Sequence, residues 1–156
     1  MANNASRSTI RSGTVQFRHR PSDKLYNMAR IRAFVAEAAN AAVQLLVFPE
    51  MCITGYWHVI KMGRNDIAAL AELVPDGPST RALAELAKQH GIVIGAGLIE
   101  AEGDRFYNSY VVVEPDGRHV VHRKASRIRE STHHAWKPVH RVRIVSRLSH
   151  WRSHLL

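Results

Sequence analysis

The chain has 156 residues, 46% hydrophobic and 22% charged, with a formal net charge of +9. That is an ordinary globular composition and enough for one domain with a real core. No apolar run approaches a membrane span, "MANNASRSTIRSG" lacks the apolar region of a secretory signal, and Cys52, the only cysteine, cannot form an intrachain disulfide, so a cytoplasmic location is the default.

The first twelve residues read as a disordered N-terminus. "GTVQF" (13–17) then reads as a short strand. Ser22 offers an N-cap with Asp23 in the first turn, and Leu25, Met28, Ile31, Val35 and Ala38 recur at three- and four-residue steps. Residues 23–41 are therefore predicted to form an amphipathic helix. "VQLLVF" (43–48) has the length and continuous apolarity of a strand covered on both faces. Residues 55–65 read as loop, with Asp66 capping a short helix to Leu73. "PDGP" (75–78) is a turn. Ser79 is placed as the cap of a second helix, with Leu83, Leu86 and Ala87 inward and Gly91 as its C-terminal glycine. "IVIGAGLIE" (92–100) is a buried strand whose glycines suggest close backbone contacts. "FYNSYVVVE" (106–114) and "RHVVHRK" (118–124) flank "PDG" as a hairpin. The order β-α-β, helices, β, β-hairpin predicts an α/β domain over 13–124.

Past Lys124 the periodicity stops. Residues 1–124 carry fifteen Lys/Arg and twelve Asp/Glu, whereas 125–156 carry seven Lys/Arg and one acid, Glu130. Residues 125–156 are thus expected to be a basic, disordered tail. Trp136 and Trp151 could stack on bases, but the cations are scattered and form no recognised motif, so nucleic acid is not an expected partner. His133, His134, His140, His150 and His154 lack the spacing of a zinc site, so no metal is expected. No amphipathic segment points to a membrane surface.

The chemically distinctive stretch is "LLVFPEMCITGYW" (45–57). It sets Glu50 at the end of an apolar strand, where catalytic groups gather in α/β folds. Phe48, Met51, Tyr56 and Trp57 would wall that carboxylate and partly desolvate it, as suits a general base. On a continuing strand Cys52 would share the face of Glu50. A lone cysteine in an apolar run, however, is a buried, inert one.

"VFPEMCITGYW" resembles the first signature of the nitrilase superfamily, the carbon–nitrogen hydrolases. "DRFYNSYVVVEPDGRHVVHRKAS" resembles its second, with "PDGPST" and "GIVIGAGLIE" at fitting places between them. The resemblance covers residues 13–124, less than half of that family's usual domain. It implies the N-terminal part of an α-β-β-α sandwich and hydrolysis of non-peptide carbon–nitrogen bonds in small amides, nitriles or carbamoyl compounds. No cofactor is implied. By the same resemblance the general base falls on Glu50, and the catalytic lysine, which stabilises the negative charge of the tetrahedral intermediate, on Lys124. Tyr56 is a candidate substrate contact, and Asn108 is expected to order local backbone. The family's nucleophile is a cysteine beyond the lysine, and this chain has none there.

The resemblance therefore implies a hydrolase-type chain that is inactive as written. The alternatives are a non-catalytic fragment that pairs with full-length relatives or with itself, and a basic-tailed nucleic-acid-binding protein. The departure begins just past Lys124. Dropping one base after that codon permits "LPAFESPPITPGNRFTVF" and, under His154-Leu155-Leu156, a cysteine, so the tail is compatible with a shifted reading frame. A partial sandwich would also leave a sheet face uncovered, which predicts self-association or a partner.

Overall fold

The computed structural model describes residues 9–128. Strands β1 (Ser12–Thr14), β2 (Leu45–Val47), β3 (Val93–Glu102), β4 (Arg105–Val113) and β5 (His119–Arg127) form one sheet in the order β1-β2-β3-β4-β5. β1, β2 and β3 run parallel, and β3, β4 and β5 antiparallel. Helix α1 (Lys24–Asn40) crosses from β1 to β2; α2 (Arg64–Leu70) and α3 (Pro78–His90) lie between β2 and β3. The predicted α/β order holds.

One sheet face carries the core. Ile31, Val35 and Ala38 of α1 and Leu83, Leu86 and Ala87 of α3 pack on Leu46, Ile94, Ala96, Leu98, Val111 and Val113. Strand side chains alternate, so Gly95, Gly97 and Ile99 of β3 and Asn108 and Tyr110 of β4 belong to the other face. Near the β3–β4 turn that face is covered by a second cluster, Met51, Val59, Ile67, Leu70, Ile99 and Phe106. The architecture is one sheet with helices, half of the layering that a full sandwich would have.

Several local assignments shift. Asp23, not Ser22, caps α1: its Oδ1 accepts from the Tyr26 N–H, while Ser22 takes a left-handed φ of 57°. Leu25, expected inward, is 88% exposed, and Asn27 takes the inward place. Asn27 is buried because its amide is fully used. Nδ2 donates to the carbonyls of Arg20 and Ile53, and Oδ1 accepts from the Arg20 N–H. Helix α2 begins after Gly63 with Asp66 in its first turn, and α3 begins after Gly77 with Pro78 first. Ser79 lies inside α3, where its N–H and Oγ–H both donate to the buried carboxylate of Glu72. Gly91 does end α3, at φ 66°.

The boundaries also move. β1 opens at Ser12, one residue before the expected boundary, and Arg11 is bonded to Gln44 and Ala41. β5 runs three residues beyond Lys124, to Arg127. The rest of the expected disordered start (1–8), and the tail from residue 129 with its shifted-frame reading, lie outside the described residues. Among the described residues no helix is long and apolar enough to cross a membrane.

Candidate active site

Glu50 follows β2 in a tight turn rather than a continuing strand. Phe48 N–H donates to Gly95 O and Ile53 N–H to Gly97 O, so the segment 48–53 lies against β3. Gly97 makes this approach possible: a Cβ there would sit 2.3 Å from Met51 N and 3.0 Å from Glu50 Cα. Met51 turns the chain at φ 52°. The turn separates Glu50 from Cys52. Cys52 enters the core fully buried, 3.9 Å from Gly97 O, and burial pushes its thiol up to about 12. The shared face expected for a strand does not exist, because the strand has ended.

The opposite wall of the site is the β4–β5 ladder. Asn108 and Lys124 project from adjacent strands onto the face under Glu50. Lys124 Nζ donates to Glu50 Oε1 at 3.0 Å, and Asn108 Nδ2 donates to the same oxygen at 2.5 Å. Sequence reasoning thus places Glu50 and Lys124 in one site, and the structure brings them together. It misassigned Asn108, whose amide serves the carboxylate instead of the local backbone. The "YNS" motif was the only sequence signal for it. Glu50 is also more open than expected, with its side chain 44% exposed and that of Lys124 38% exposed.

Tyr56 completes the cluster. Its hydroxyl is hydrogen-bonded with Lys124, and burial, then the nearby Glu50 charge, raises its pKa. For Lys124, burial alone would lower the pKa; Glu50 and, after it, Tyr56 overcome this and leave the ammonium raised. Lys124 is therefore a firm cation at neutral pH. The Tyr56 ring meets Trp57 edge-on at 4.9 Å, and it borders a cleft of about 290 Å³ with Phe17, Arg18, His19, Pro21, Trp57 and His58. The site thus presents a carboxylate, an ammonium and a phenol, of which only the phenol of Tyr56 lines the aromatic-walled cleft. Among the described residues no group of three or more His, Cys, Asp or Glu side chains could hold a metal ion.

The carbon-nitrogen hydrolase family model matches residues 11–147, most of the chain. The chain belongs to the carbon-nitrogen hydrolase family. The matched span begins just before β1 and continues past Lys124. Among this family's curated members, the chain is 36% identical over 91 residues to a nitrilase of Pyrococcus abyssi, covering 58% of this chain and 34% of that protein. It is 35% identical over 119 residues to the omega-amidase NIT2 of Danio rerio, covering 75% and 40%. Among solved carbon-nitrogen hydrolase structures, Saccharomyces cerevisiae Nit3, a member of branch 10 of the nitrilase superfamily, aligns with a TM-score of 0.63 at 26% identity, over 75% of this chain and 44% of that one. The chain thus spans less than half the length of each of these relatives.

Proposed function

We propose that this chain carries the base and the charge-stabilising cation of a carbon–nitrogen hydrolase, and that it lacks the nucleophile. The observation that carries this reading is the convergence of Lys124 Nζ and Asn108 Nδ2 on one oxygen of Glu50. Both bonds go to Oε1, and among the described residues Oε2 accepts none. Glu50 Oε2 is therefore the oxygen placed to take a proton, while Oε1 anchors the carboxylate. In the reaction an incoming thiol gives its proton to Glu50 as sulfur attacks the carbonyl or nitrile carbon. The Lys124 ammonium stabilises the charge that develops there. With an amide, the proton returns from Glu50 to the leaving amine and a thioester remains, which water then hydrolyses. Tyr56, bonded with Lys124 and bordering the cleft, is the proposed substrate contact. Small amides, nitriles and carbamoyl compounds are the proposed substrates. No organic cofactor enters this chemistry.

Cys52 does not supply the sulfur in this reading: it is buried in the core and strongly protonated at neutral pH. The test is ammonia release from small aliphatic amides, with and without millimolar 2-mercaptoethanol as external thiol. The expected result is no release without thiol, and thiol-dependent release that Glu50→Gln abolishes. Release without thiol that survives Cys52→Ala overturns the missing nucleophile. Equal thiol-dependent rates in wild type and Glu50→Gln overturn the base.

A second, non-catalytic reading is favoured by the sheet itself. Val120 of β5 is 53% exposed on the face opposite the helices, so apolar surface is open for a second copy or a longer relative. Light scattering on the purified chain tests it: a clean monomer across micromolar concentrations excludes self-pairing.

A further inference from the structure

Lys124 stands at an irregularity of the sheet. Ser109 pairs with Arg123 and Tyr107 with Arg127, so a two-residue step on β4 faces a four-residue step on β5. The extra residues form a bulge that begins at Lys124. A bulge re-aims side chains, and a one-residue slip beside it would turn Lys124 to the other face of the sheet. Something must fix the register at this point.

The fixing contacts lie on the opposite, helix-covered face, one residue earlier. Arg123 Nε donates to Glu100 Oε2 at 2.8 Å, and its Nη2 donates to Glu100 Oε1 at 2.5 Å and to Glu102 Oε1 at 2.8 Å. Its guanidinium lies 4.5 Å from the centre of the Tyr107 ring. Glu100 is a firm anchor: it is 2% exposed, accepts from Ser109 Oγ at 2.5 Å, and its backbone is bridged on both sides, to Tyr107 and to Glu72. The planar fork of arginine matches the carboxylate in two bonds at once and so fixes direction as well as distance.

We propose that Arg123, clamped across β4 onto Glu100 and Glu102, is a positioning residue that sets the register of β5 at its bulge and thereby aims the Lys124 ammonium at Glu50 on the other face. Neighbouring residues of a strand point to opposite faces, so fixing Arg123 on one side fixes Lys124 on the other. An ammonium in place of the guanidinium would keep the charge and lose the fork.

The inference rests on reading Glu50 and Lys124 as a working pair, and one experiment separates the two. The side-chain titration of Lys124 is followed by NMR of the 13C-methylated lysines in the whole chain. Among the described residues, Glu50 and Tyr56 act on that ammonium, and Asn108 shares its Glu50 oxygen. Glu50→Gln should lower the Lys124 titration and so define the contribution of the carboxylate. Arg123→Lys should lower it too, by about half a unit or more, roughly a threefold loss of proton affinity. A drop in Glu50→Gln with no change in Arg123→Lys overturns the clamp alone, leaving it a merely stabilising contact. No change in Glu50→Gln overturns the pairing itself. Should Arg123→Lys fail to fold, Glu102→Gln, at the exposed end of the clamp, is read by the same two outcomes.

Discussion

Lys124 Nζ lies 3.0 Å from Glu50 Oε1, although 74 positions separate the two residues in the chain. The contact joins the end of a parallel strand to a bulged edge of an antiparallel ladder. Both side chains are more than a third exposed, so water screens their attraction. Glu50→Gln and Lys124→Met should therefore each change the stability to urea by less than about 1 kcal/mol. A loss of several kcal/mol in either would show that the pair is a structural strut and not a chemical device.

Gly97→Ala should do the reverse. Its methyl group would meet Met51 N and the Glu50 backbone, neither of which can swing aside as a flexible side chain can. Overpacking of this kind costs about 1–3 kcal/mol. The unfolding midpoint should fall, and the Glu50–Lys124 contact should open because the turn must lift off β3. An unchanged Lys124 titration in Gly97→Ala would place that turn elsewhere.

Cys52 should behave as a core methylene with a silent thiol. With its pKa pushed up to about 12, almost no thiolate exists at pH 8. Ellman's reagent should leave the native chain unmodified and react with one thiol per chain in denaturant. Rapid native labelling would contradict the burial and reopen Cys52 as a nucleophile.

Acid should weaken the fold through His19 and His58. Burial lowers the pKa of both, and the charge of His19 further lowers that of His58. A histidine whose folded pKa is lowered binds its proton more readily when unfolded. Its stabilising effect is present above the unfolded value of about 6.5 and is lost as pH falls through that value toward the folded one. The thermal midpoint should decline between pH 7 and pH 5, and the decline should be shallower in His19→Gln. Identical pH slopes in the two proteins would refute it.

The sequence by itself determined the element order and the core positions of α3, and its resemblance to a known family singled out Glu50 and Lys124, the two residues that meet at the candidate site. Those features are local: apolar spacing, a terminal glycine at position 91, and short motifs around Glu50 and Lys124. The phase of α1 was not legible, because Asn27 is inward only through three backbone hydrogen bonds outside the helix, two to Arg20 and one to Ile53, 26 positions away. The glycines of β3 announced a close backbone approach, but which turn lies over Gly97 was not legible, nor was the partnership of Asn108 with Glu50 or the Arg123–Glu100 clamp. Each of these depends on cross-strand register. Register is decided when strands pair and a bulge is placed, and no single segment of chain encodes it. Motifs chose which groups could do chemistry, and the pairing of β3, β4 and β5 decided which atom of each faces which.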